Sequence, residues 1–218
     1  LTGVNFVRIC DRDKNMIDRQ RVRIGRKFAQ VSEGAKEIFL RDGFSGTSVD
    51  DIAAAARVSK ATLYSYFADK RLMFEEAMQN ERQRLEDAIL FDIPADAAPT
   101  QAIPALTRQI AEWLVAPDSV RLYRVHVAEA ARFPDVARNY HAALHKGLRD
   151  RLRERLDHWV AWGELRIEDT TLAAEQLVRL AGAEIHDMAT LDGGHAPDHD
   201  QIARIADSAA QLFLKAHG

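Results

Sequence analysis

Apolar residues recur three and four positions apart along almost the whole chain and nowhere alternate strictly, a pattern that predicts helix after helix and no sheet. From Phe28, the positions Val31, Ala35, Ile38 and Phe39 share one face, and Gly43 is placed to end that helix. Ser48 offers an N-cap for a short helix through Ala56, with Asp51 three residues on. A third helix is expected from about Lys60 to Phe67. Asp69 then caps a longer fourth, carrying Leu72, Phe74, Ala77, Met78, Leu85 and Ile89. Pro94 and Pro99 mark a loop over 92–100. Further helices are predicted near 101–116, 119–132, 135–162, 169–191 and 198–216, parted by Pro117, Pro134, Gly163, Gly193, Gly194 and Pro197. The expected fold class is all-α with about nine helices.

At roughly 100–200 residues per domain, 218 residues hold one full-sized domain or two small ones. Hydrophobic residues at 47% suffice for a real core, which argues against disorder. Cys10 is the single cysteine, so an intrachain disulfide framework is excluded and a reducing compartment suits the chain. Arg8, Asp11, Arg12 and Asp13 stand where a signal peptide would be apolar, and no run approaches the roughly 18 apolar residues of a membrane span. A cytoplasmic protein without membrane contact is expected. As a total, the net charge of −3 speaks against nucleic acid, but it is unevenly spread. Residues 1–72 carry 14 Lys and Arg against 9 Asp and Glu; the remainder carry 16 against 24. That is a basic module joined to an acidic body.

The informative stretch lies in the basic part, over 48–67. Two short helices crossing steeply need a small residue where they touch, an apolar residue past the turn and an apolar anchor on the second helix. Ala53, Val58 and Leu63 stand at those places, with Ile52 and Ala56 toward the same core. The outer face of the second helix then presents Lys60, Ala61, Thr62, Tyr64 and Ser65, short or hydrogen-bonding groups suited to a major groove. On pattern alone an ordinary helical hairpin remains open.

The run 31–74, VSEGAKEIFLRDGFSGTSVDDIAAAARVSKATLYSYFADKRLMF, closely resembles the N-terminal DNA-binding domain of TetR-family transcriptional regulators. The family's Gly-Phe-x-x-Thr-Ser-Val element falls on 43–49, and its Val-Ser-x-x-Thr-Leu-Tyr-x-Tyr-Phe-x-x-Lys signature on 58–70. The resemblance implies a three-helix helix-turn-helix domain over 26–73, preceded by a basic arm over 1–25 and followed by an effector-binding and dimerisation domain over 74–218. It implies phosphate contacts for Ser48, with Thr47 beside it, and for Tyr66 and Lys70. It implies groove contacts for Lys60, Ala61, Thr62, Tyr64 and Ser65, and core positions for Leu63 and Phe67. The chain departs from the family at the turn, where Arg57 replaces the usual glycine. Arg57 adds a phosphate contact if the backbone there is right-handed and strains the turn if φ is positive. Upstream, Arg19, Arg21, Arg23, Arg26 and Lys27 form the basic arm, which either reaches a minor groove or stays a solvated tail. Cys10 has no evident structure to act upon as a thiol sensor.

In the acidic body, the last two predicted helices each carry a wide apolar stripe. Leu177, Leu180, Ala181, Ile185 and Met188 lie on one and Ile202, Ile205, Ala209, Leu212 and Phe213 on the other. They are the expected dimer interface, since a helix-turn-helix protein reads a palindrome as a pair; completion of the protomer's own core is the alternative. The middle helices hold Trp113, Tyr123, Phe133, Tyr140, Trp159 and Trp162, with His126 and His186 near them in pattern. These are candidate walls of a small-molecule cavity, or plain core. The stretch 121–165, especially AEAARFPDVARNYH, also looks like the C-terminal domain of the AefR-like branch.

His141 and His145 sit four apart, and His195 and His199 flank Asp198, but no cysteine joins them and Ala142 stands where HExxH needs glutamate. No cofactor or metal is expected, and no nucleophile–base pair supports an enzyme. The expectation is a homodimeric repressor that binds a palindromic operator in double-stranded DNA and is released by an unidentified small molecule. A constitutive DNA binder on the same fold is the alternative.

Overall fold

The computed structural model describes residues 7–89, 91–191 and 196–218, with side chains described from residue 25 onward except 144 and 145. His195 lies outside the described residues, as do the side chains of Cys10, Arg19, Arg21, Arg23 and His145. Every regular element described is helical, and the chain divides into two units, Leu1–Met78 and Gln79–Gly218.

The first unit contains α1 (Val7–Gly46), α2 (Val49–Ala55), α3 (Lys60–Tyr66) and the start of α4 (Lys70–Asp87). Helix α1 begins at Val7, where the sequence predicted a basic arm up to residue 25. Residues 7–24 lack an apolar stripe, but they are rich in Arg, Lys, Asp and other residues that a helix tolerates and contain no Gly or Pro. At Gly43 the helix breaks with φ +68°, the left-handed backbone for which a glycine is suited. Val31, Ala35, Ile38 and Phe39 are buried as the spacing predicts, and so are Ile52 of the second helix, Ala56 at its C-cap and Leu63 of the third. Phe74 of α4 meets Phe39 edge-on at 5.1 Å and Phe44 at 5.5 Å; such pairs add about 0.5–1.5 kcal/mol each to their area burial. The tightest approach is at Gly34, where an added Cβ would lie 2.6 Å from the backbone nitrogen of Ala56. Only glycine lets α1 and the end of α2 meet there. Ala53, expected as the small residue where the second and third helices cross, is buried.

The second unit contains the rest of α4, then α5 (Pro99–Val115), α6 (Pro117–Glu129), α7 (Pro134–His145), a π-helical turn (Lys146–Asp150), α8 (Arg151–Ala161), α9 (Thr170–Gly182), α10 (Ile185–Leu191) and α11 (His199–His217). Proline opens α5, α6 and α7, where its missing N–H has no intrahelical partner to lose. Asp198 caps α11 through a box with Gln201, the side chain of each bonding the other's backbone N–H. The core joins Ile103, Leu106 and Ile110 of α5 to Leu152, Leu156 and Trp159 of α8 and Leu177 of α9. The single helix expected over 169–191 is two. Low helix propensity at Gly182 weakens it, and Glu184 turns it with φ +62°. Among the described residues no helix is long and apolar enough to cross a membrane, and no three His, Cys, Asp or Glu side chains group as metal ligands do.

Candidate nucleic-acid interface and effector cavity

Helix α3 starts from Ser59, whose Oγ accepts a hydrogen bond from the Thr62 N–H at 3.2 Å and so satisfies one otherwise orphaned donor. Leu63 is fully buried and Phe67 nearly so, which fixes how the helix is rolled about its axis. The opposite side therefore faces out: Lys60, Ala61, Tyr64 and Ser65 are exposed, and Thr62 is half-buried at the edge. Lys60 Nζ pairs with Asp50 of α2 at 2.7 Å, with both side chains exposed. An exposed pair of this kind is weak in water, so a phosphate can take the place of Asp50 at little cost.

Around this face stand the other expected contacts. Ser48 is exposed; its Oγ caps α2 by accepting from the Asp51 N–H at 3.1 Å and donates to the Asp51 carboxylate at 2.6 Å. Lys70, at the first turn of α4, holds its ammonium 4.5 Å from the centre of the Phe44 ring. Tyr66 is half-buried and meets Phe28 edge-on at 5.8 Å. Arg26 and Lys27 are exposed on α1. Thr47 differs from the rest. It is buried, and its hydroxyl donates to the Gly43 carbonyl at 2.6 Å, so it secures the end of α1 and does not present itself to solvent.

Arg57 has φ +52°. The Arg57 N–H donates to the Ala54 carbonyl at 3.1 Å and the Val58 N–H to the Ala53 carbonyl at 3.0 Å, the paired bonds of a Schellman C-cap with arginine in the glycine position. The left-handed conformation costs a non-glycine residue about 1–2 kcal/mol. Arg57→Gly is therefore expected to raise the unfolding free energy by about 1 kcal/mol, read as a higher urea midpoint at unchanged slope. If the guanidinium meets a phosphate, the same variant flattens the dependence of log affinity on log salt by about 0.9.

The second unit holds a cavity of about 240 Å³. Trp113 of α5, Ser119 and Tyr123 of α6, Tyr140 of α7 and His186 of α10 line it, and the break at 182–184 closes one side. Tyr123 meets His186 edge-on at 4.7 Å. Behind Tyr140, at 4.1 Å and nearly parallel, lies His126, whose Nδ1 is 2.8 Å from the Leu122 carbonyl. Burial pushes the His126 pKa down to about 4 and lowers that of His186, so His126 is neutral at pH 7. Burial also raises the Tyr140 phenol above its ordinary value. Among the described residues, two buried polar atoms of side chains lining this cavity have no hydrogen-bond partner, Trp113 Nε1 and the Oγ of Ser119, a residue only 4% exposed. Four residues expected in the cavity lie elsewhere: His126 is buried behind Tyr140 and does not line it. Trp159 and Phe133 are buried away from it, and Trp162 is 60% exposed at the end of α8 beside His158. Packing of α8 against α5 and α9 takes Trp159 into the core, and the helix stops before it can bury Trp162.

Residues 32–77 match the model for bacterial regulatory proteins of the tetR family, and residues 101–218, more than half the chain, match the C-terminal domain of AefR-like transcriptional repressors. The chain belongs to the TetR family. The family is one of bacterial DNA-binding transcriptional regulators, not of enzymes. It is 42% identical over 52 residues to the mycofactocin biosynthesis transcriptional regulator MftR of Mycobacterium tuberculosis, covering 22% of this chain and 26% of MftR. It is 32% identical over 50 residues to the biofilm operon negative regulator IcaR of Staphylococcus aureus, covering 23% and 27%. The matches span about a quarter of the length of these curated relatives. Among solved structures, the flavonoid-responsive regulator FrrA is 30% identical with a TM-score of 0.71, over 88% of this chain and 97% of FrrA. A TetR-family regulator from Mesorhizobium loti has a TM-score of 0.81 at 24% identity, over 90% and 98%.

In this TetR-family chain the expected dimer residues divide in two. Leu177, Ala181, Ile185, Ala209 and Phe213 are buried within the protomer, because α9, α10 and α11 turn those positions toward α5 and the unit's own core. Leu180, Met188, Ile202 and Ile205 are half-buried, and Leu212 is 55% exposed. Leu172, which the stripe reading left out, is exposed at the start of α9. The charged side chains at the cavity, Arg149, Glu175, Arg179, Glu184 and Asp187, were also not foreseen. Nothing in their helical spacing distinguishes them from a solvated face.

Proposed function

We propose that the chain is a homodimeric repressor that grips a palindromic operator through the exposed face of α3 and lets go when a small molecule fills the cavity of the second unit. The observation that carries the ligand response is an aromatic cavity two of whose lining residues, Trp113 and Ser119, hold a buried indole N–H and hydroxyl without hydrogen-bond partners among the described residues, since buried polar atoms are otherwise almost always paired. The flavonoid response in FrrA's name is in keeping with an aromatic effector. A route to the DNA-binding unit is also present. Helix α4 runs out of that unit, and in its second half Arg84 joins the buried Glu81, at 2.6 Å, to Asp118 at the start of α6, at 2.7 Å. Ser119 is the next residue. An effector that binds one position of α6 better than another thereby biases α4. The apolar positions left open on α9 and α11, Leu172 and Leu212 with Leu180, Ile202 and Ile205 half-open, supply surface for a second copy. The setting is the bacterial cytoplasm, at the nucleoid.

A duplex selected from random DNA tests this reading. Sedimentation should give protomers on the duplex in pairs, and affinity should fall steeply with salt, by about 0.9 in log–log slope per phosphate contact. Compounds found by thermal shift to bind the protein should weaken the complex. A single protomer per duplex would overturn the homodimer, and a complex indifferent to every such compound would leave a constitutive binder.

A further inference from the structure

We infer that the effector is a compact, uncharged, planar aromatic molecule carrying a hydrogen-bond acceptor, seated so that Trp113 Nε1 and Ser119 Oγ both reach that acceptor. The inference rests on the ligand-response reading above. Four observations narrow the class. An indole N–H only donates, and a serine hydroxyl is able to, so the unpaired atoms call for an oxygen or nitrogen lone pair on the ligand. The walls are the rings of Trp113, Tyr123, Tyr140 and His186, which favour a flat π-surface over a flexible chain.

The third observation is size. About 240 Å³ lies just below the range of roughly 300–1,000 Å³ for drug-sized ligands, so a molecule of two or three rings fits while a long acyl-CoA exceeds the space. The solved complex of Bacillus subtilis FadR with stearoyl-CoA is a fold likeness at 15% identity and carries no ligand across. The fourth is charge. Arg149 is paired with Asp150 at 3.1 Å and Arg179 with Glu175 at 3.5 Å; Glu184, paired with Arg204 at 3.8 Å, and Asp187 add two carboxylates at the cavity. The lining side chains bring three carboxylates, Glu175, Glu184 and Asp187, against two guanidiniums, so an anionic ligand meets an acidic surplus and would give up its hydration there at a cost.

The test is calorimetry on the full chain with four probes: chromone, which is uncharged and has a ring carbonyl; naphthalene, which has no acceptor; 2-naphthoate, which is anionic; and laurate, which is an anionic chain. Chromone should bind about tenfold more tightly than naphthalene, the equivalent of one net hydrogen bond, and more tightly than either anion. Trp113→Phe keeps an aromatic ring and removes the N–H. It should cost chromone most of that tenfold and leave naphthalene unchanged, a split that general loosening of the wall would not produce. Ser119→Ala should act in the same direction. Laurate or 2-naphthoate binding ahead of chromone would overturn the inference and leave the ligand-response reading standing. So would Trp113→Phe weakening chromone and naphthalene equally. If no probe binds and no compound of any class loosens the DNA complex, both readings fall together.

Discussion

Trp159→Ala is expected to cost about 3–5 kcal/mol, whereas Trp162→Ala, three residues on, should cost under about 1 kcal/mol. Trp159 is fully buried among the apolar residues of α5, α8 and α9, and its Nε1 donates to the Ala97 carbonyl at 3.1 Å. Truncation removes a large apolar surface, leaves a cavity the helices cannot close, and strands a carbonyl in the loop before α5. Domains commonly have only about 5–15 kcal/mol in hand, so the loss is a large share of the total. Trp162 is 60% exposed and keeps one ring contact, with His158 at 6.0 Å. Urea unfolding followed by far-ultraviolet circular dichroism separates the two without relying on tryptophan emission. Trp159→Phe should fall between them, because it restores most of the volume but not the hydrogen bond. Equal losses at 159 and 162 would mean that α8 is rolled differently about its axis.

These two tryptophans mark where the sequence stops being legible. In periodicity they are alike, and both stood as candidate cavity walls. Which one is buried depends on where α8 ends and what packs on it, and α5 and α9 are remote in sequence. The helix-turn-helix was readable for the opposite reason. Its caps, Ser48 and Ser59, its anchor Leu63 and its outward residues Lys60 to Ser65 lie within one short stretch, so local spacing determines which side of α3 is left open. Gly34 escaped notice because its need for a bare backbone arises at Ala56, 22 positions away. The break after Gly182 escaped too: one glycine and a left-handed Glu184 interrupt a pattern that still scores as helix on both sides. Thr47 shows the limit of position-by-position transfer, since its place in the motif is matched but its hydroxyl is already bonded inward.

Ala61→Glu is expected to weaken DNA binding at least about a hundredfold while leaving the fold intact, because a like charge set against a partner's charge costs several kcal/mol. Ala61 is exposed in the first turn of α3, which carries no acidic residue. A glutamate there faces the helix N-terminus and should favour folding slightly. In a groove, the same carboxylate would confront phosphates and acceptor-rich base edges at the closest point of approach, where only a methyl group now stands. Lys60 would gain a second anionic neighbour besides Asp50, which further reduces what it can offer a phosphate. Two controls separate position from charge. Ala61→Ser keeps the side chain small and neutral and should retain most of the affinity. Gln211→Glu adds the same charge at an exposed site on α11 and should leave binding nearly unchanged. Anisotropy with a selected duplex at one fixed salt concentration reads all three, and thermal unfolding shows that each is folded. Undiminished binding by Ala61→Glu would remove α3 from the groove and leave other exposed cations, Arg26, Lys27 and Arg57 among them, to hold the DNA through its backbone alone.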